Sequence, residues 1–134
     1  MKRLVLGLAL LLVVVACGED FAADPERFCE LDFKIGDLED PFEVLSDEAR
    51  DIVRQGREFL DEALEVVPGE IRGAAEAAAD AFRSYLGFAE AAEFDPDQVE
   101  DGALRALVTA EATDAFDVLE EWRGANCSEP SIRV

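Results

Sequence analysis

The sequence predicts an all-α fold, an up-and-down bundle of four or five helices. Two observations carry this. Apolar residues recur at steps of three and four through residues 49–67 and again through 71–89, and no stretch alternates with period two over a useful length. Helix-start and helix-stop residues punctuate the chain at the ends of those stretches, and short polar connections between long amphipathic helices imply antiparallel neighbours.

Taken in order, Asp24-Pro25-Glu26 reads as a first helix start: an N-cap acceptor, proline at the first helical position and an acid in the first turn. Phe28, Cys29, Leu31 and Phe33 are mixed in period, so this helix is short and ends near Gly36. Asp40-Pro41 opens a turn, or one turn of helix, through Leu45. Ser46 caps the next helix, whose buried face is Ala49, Ile52, Val53, Gly56, Phe59, Leu60, Ala63, Leu64 and Val67. Pro68-Gly69 stops it, because proline disfavours helical geometry in the residue before it. A third helix follows from Glu70, with Ile71, Ala75, Ala78, Phe82, Tyr85, Leu86 and Ala89 on one side; its run from Ala74 to Ala81 has high helix propensity and allows close approach of a neighbour. Asp95-Pro96 repeats the start signal, and residues 97–110 carry Val99, Leu104, Leu107 and Val108 at helical spacing. The last helix, about Thr113 to Arg123, presents Ala115, Phe116, Leu119 and Trp122 and ends at Gly124. The bundle domain is thus residues 25–127, and residues 128–134 read as a loose tail.

The N-terminus belongs to none of these elements. Lys2 and Arg3 precede an apolar run from Leu4 to Ala16 broken only by Gly7, the layout of a secretory signal. The run is too short to cross a bilayer, which takes roughly 20 helical residues for about 30 Å of hydrocarbon. At its end, Val14-Val15-Ala16-Cys17 resembles the lipobox of bacterial lipoproteins, with Val14 where that box more often has leucine. The resemblance implies a signal peptide over residues 1–16, cleavage after Ala16, a diacylglyceryl group on Cys17 and, in many bacteria, acylation of the new amino group. Residues 17–24 are then a lipidated tether. More than one acyl chain gives stable anchoring without a transmembrane helix, at the outer face of the cytoplasmic membrane.

This assignment orders the cysteines. Three is an odd number for an exported chain, and lipidation of Cys17 leaves Cys29 and Cys127 as a pair. A disulfide between them would staple the first helix to the end of the last. The two do not form a C-x-x-C motif, so the expected bond is structural rather than redox-active. Small helical lipoproteins of GC-rich bacteria are similar in the lipobox, in the Phe28-Cys29 and Asn126-Cys127 ends and in the Val67-Pro68-Gly69-Glu70-Ile71 junction, and they imply no activity. The abundance of Arg over Lys, with much Ala, Gly, Asp, Glu and Val, is compatible with such a genome.

Charge narrows the partners. The chain carries 12 basic and 32 acidic residues, net −20, and loss of Lys2 and Arg3 with the signal makes this −22. Phosphate backbones and anionic headgroups are repelled, so nucleic-acid binding is disfavoured and the lipid must do the anchoring. The acids are interleaved with apolar residues, as on the solvated faces of amphipathic helices.

Catalytic chemistry is poorly supplied. There is no histidine, and after the signal one lysine, Lys34, four serines and two threonines remain, so the usual general base and the commonest transition-metal ligand are missing. With 32 acids, any single carboxylate pair is uninformative as a hydrolytic dyad. Asp95-Pro-Asp-Gln-Val-Glu-Asp-Gly102 fails as a calcium loop: Val99 stands at position five, Glu100 at six and Ala106 at twelve. Asn126-Cys127-Ser128 matches a glycosylation sequon only formally. No catalytic residue, metal site or cofactor is expected. Phe82, Tyr85, Phe88 and Trp122 are the candidates for lining a ligand pocket, although aromatics at helical spacing usually form core. The expected function is a non-catalytic, lipid-anchored interaction or structural role at the cell envelope, with a basic protein as partner; the alternative is binding of a small apolar or cationic ligand between the helices.

Overall fold

The structure, a computed structural model, describes residues 23–128, and within them the chain is all-α with four helices: α1 (Pro25–Gly36), α2 (Ser46–Val66), α3 (Arg72–Ala91) and α4 (Ala110–Asn126). No strand occurs among the described residues. The expected signal peptide at 1–16, Cys17 with its tether up to residue 22, and the tail beyond Ser128 lie outside them.

Helix α1 starts as its sequence directs: the Asp24 carboxylate accepts a hydrogen bond from the Arg27 amide at 3.0 Å, and Pro25 occupies the first turn, where a missing N–H is harmless. Its buried side is Phe28, Cys29 and Leu31. Helix α2 departs from expectation at its cap. Ser46 is already the first helical residue, and extended Leu45 takes the N-cap position without a side-chain bond. Asp47 and Glu48 in the first turn still oppose the positive end of the helix dipole. Pro68 ends α2 through an extended Val67, and the Arg72 guanidinium donates to the carbonyls of Leu64 and Val67 at 3.2 and 3.4 Å, partnering groups the helix end leaves bare. A 3₁₀ turn, Gly69–Ile71, leads into α3.

The expected helix over 97–110 does not form. Two 3₁₀ turns stand there instead, Pro96–Gln98 and Arg105–Leu107, neither of which has a buried residue. Asp95, Asp97, Glu100 and Asp101 crowd like charges into fewer than two turns, and Gly102 sits at φ +85°, outside helical geometry. Without an apolar face to pack, periodicity alone cannot offset the nucleation penalty of a helix. Helix α4 is longer than expected. The Thr109 hydroxyl caps it by accepting from the Ala112 amide at 3.0 Å, and it passes through Gly124 to Asn126.

Residue pairs fix how the helices lie. Asp24 donates its amide to the Val66 carbonyl at 2.9 Å while Lys34 sits over the Phe59 ring, so α1 and α2 run oppositely. Arg57 pairs with Glu90 and Arg83 with Asp61 at 2.7 Å, so α2 and α3 also run oppositely. Gly56 permits the closest approach of that pair, since a Cβ there would stand 3.1 Å from Leu86 Cδ1. The core gathers Phe28, Leu31, Val67, Ile71, Leu119 and Trp122 around the alanines of α3. Cys29 and Cys127 are disulfide-bonded, with Cα atoms 5.6 Å apart and a separation of 98 positions in sequence.

Candidate functional site

The end of the domain where α1 meets α4 is the most tightly tied. Beside the disulfide, Phe28 and Trp122 meet edge to face with centroids 5.6 Å apart, and the Trp122 indole N–H donates to Glu70 Oε1 at 2.9 Å. One turn from Cys29, Asp32 takes a two-point bond from Arg123: Nε to Oδ2 at 2.5 Å and Nη2 to Oδ1 at 2.9 Å. That carboxylate raises the Arg123 pKa above its usual value.

Away from this clasp, α1 and α4 are not closely packed along their length, and a hollow of ~170 Å³ lies between the four helices. Its walls are Ala63 and Leu64 from α2 and Ala75, Ala78, Ala79 and Phe82 from α3. Phe28 and Ile35 of α1 close one side, and Phe116 and Leu119 of α4 the other. Asp32 and Arg123 stand at its polar edge. Phe116, expected on the buried face, is 50 % exposed because α4 rolls Ala115, Leu119 and Trp122 inward and leaves it at the mouth.

The four candidate aromatics do not come together in this hollow. Only Phe82 lines it. Tyr85 stacks on Phe82 at 6.3 Å but belongs to a second, shallower hollow with Phe42, Asp40, Glu43 and Leu104. Phe88 is at the surface, and Trp122 is buried near the opposite end of α3 against Glu70. The Tyr85 hydroxyl donates to Asp40 Oδ1 at 2.8 Å; burial, and then this bond and the carboxylate's charge, push its pKa well above the usual tyrosine value. Because the chain has one tyrosine, absorbance at 295 nm against pH reads it directly. The expected midpoint lies clearly above 10, and an ordinary midpoint near 10 would mean the Asp40 bond is absent. A raised folded pKa stabilises the fold fully below the unfolded value near 10, and that contribution is lost as pH rises through the folded pKa.

The remaining motifs resolve into local structure. The Asp95 carboxylate accepts from the Asp97 amide at 2.9 Å, as a cap for its 3₁₀ turn. Among the described residues, no group of three or more His, Cys, Asp or Glu side chains is arranged to hold a metal ion. Ser84 and Thr113 hydroxyls donate to the carbonyls four residues back, and Lys34 lies between Glu30 and Phe59. Asn126 of the formal sequon donates its amide to the Trp122 carbonyl. No helix of the described residues is long and apolar enough to cross a membrane.

Fold and site together define a disulfide-linked four-helix domain with an apolar hollow beside an Asp–Arg clasp. No known family model, curated protein or solved structure matches the chain.

Proposed function

We propose that this protein is a lipoprotein, anchored through acylated Cys17 at the outer face of the cytoplasmic membrane, whose helical domain acts without catalysis through contacts with other envelope proteins. The observation that carries this reading is the Cys29–Cys127 bond. Disulfides persist in oxidising compartments, which supports export, and the pairing leaves Cys17 as the unmatched cysteine directly after the lipobox residues Val14-Val15-Ala16. The net charge of −20 favours a basic partner and disfavours nucleic acid. The opposed residue pairs between successive helices support an up-and-down order, which places both ends of the folded domain at the disulfide.

The test is fractionation. The native protein is expected in the membrane pellet, resistant to high salt and released by detergent, and Cys17→Ser is expected in the soluble fraction. A variant that stays membrane-bound in high salt contradicts the anchor. Crosslinking at native expression that recovers no specific neighbour contradicts the interaction role. A second reading, binding of a small ligand between the helices, is favoured by the hollow beside Asp32 and Arg123.

A further inference from the structure

We infer that the hollow between α1 and α4 binds a small neutral molecule, one ring or a short branched chain in size, that carries a single hydroxyl or carbonyl oxygen. This deepens the second reading above and does not depend on the anchor.

Size sets the first limit. Protein interiors are close-packed, with few voids larger than water, and ~170 Å³ is comparable to the apolar cavity of about 150 Å³ that binds benzene or xenon. It is far too small for a long acyl chain. The volume has an identifiable origin: α2 and α3 contribute four alanines to its walls, Ala63, Ala75, Ala78 and Ala79, and α1, packed on α2, and α4, packed on α3, do not close on each other along most of their length.

Charge sets the second limit. Asp32 and Arg123 neutralise one another at the edge of the hollow. Arg123 uses Nε and Nη2 on Asp32, so among the described residues its Nη1 hydrogens are left to donate. A neutral oxygen can accept from Nη1 while the ion pair stays intact. An anion would compete with Asp32 in a chain of net charge −20, and a cation would shed its hydration against alanine and phenylalanine walls beside a carboxylate already paired. Entry is from the side of Gly36 and Phe116, the most exposed lining residues of α1 and α4.

Benzyl alcohol is the probe, added to the full chain and followed by methyl NMR. Saturable shifts are expected at Ala75, Ala78 and Leu119, with toluene competing and benzoate at least about tenfold weaker, the range of one charge-sensitive hydrogen bond. Ala78→Leu fills the hollow and is expected to abolish the shifts at an equal or higher melting temperature; if it fails to fold, Ala79→Val serves the same purpose. In Arg123→Gln the preference for benzyl alcohol over toluene is expected to fall by about threefold to tenfold. No shifts at millimolar probe, or benzoate binding as tightly as benzyl alcohol, overturns the proposal. Binding that survives in the filled variant overturns this site but leaves the second reading standing, whereas no binding together with no small molecule retained by the protein from its host removes both.

Discussion

Replacing both bonded cysteines, Cys29→Ser with Cys127→Ser, is expected to lower the stability of the domain by about 4 to 5 kcal/mol. The bond closes a loop spanning 98 residues, nearly the whole described domain, so its removal frees almost all of the unfolded chain. A domain of this size has a small margin, and a loss of that order lowers its melting temperature by about 15 to 30 °C. The effect should also be local. Beyond the Phe28–Trp122 contact and the partly exposed Asp32–Arg123 pair, α1 and α4 touch little, so the last turn of α4 past Trp122 is expected to fray once the bond is gone. Thermal unfolding read through Trp122, the one tryptophan of the chain, checks both points. A melting temperature within a few degrees of the native protein would show that the bond does not hold the fold.

Leu86→Ala is expected to cost about 2 to 5 kcal/mol. Leu86 is fully buried and faces Gly56, which has no side chain with which to fill the space left behind. The pairing makes a sharper test than the single loss. In the native background Gly56→Ala brings its Cβ to 3.1 Å from Leu86 Cδ1, and the packing strain opposes the roughly 1 kcal/mol that alanine gains over glycine in a helix. In the Leu86→Ala background that contact is gone, and Gly56→Ala should be stabilising. Chemical denaturation of the four proteins gives the coupling. Additive effects would mean that α2 and α3 do not meet at this point.

Helices whose apolar residues form a dense stripe were readable from spacing alone. Ile52, Val53, Gly56, Leu60 and Ala63 predicted the buried side of α2, and Pro68 predicted its end. Residues 97–110 show the limit of that reasoning: four apolar residues at helical intervals counted for less than four carboxylates and a glycine held at positive φ. Gly124 failed as a stop because the last turn of α4 is tied from outside the helix, by Arg123 to Asp32 and by the disulfide just beyond it. The hollow had no sequence signal. Its volume comes from α1 and α4, which do not close on each other, and its polar edge joins residues 91 apart. The Ala74 to Ala81 run does let α4 come close to α3, and its small side chains also leave space on the side of the hollow. Phe82, Tyr85 and Phe88 share a helix but not a cavity, and Trp122 lies at the other end of α3.

The central claim, an exported domain held to the membrane by its first cysteine, is tested most directly by the mass of the N-terminal peptide from protein purified from its host. A lipid anchor at this position requires a peptide that begins at Cys17 and carries the mass of at least a diacylglyceryl group. A peptide that extends upstream of Cys17, or one that begins there with an unmodified thiol, would contradict it.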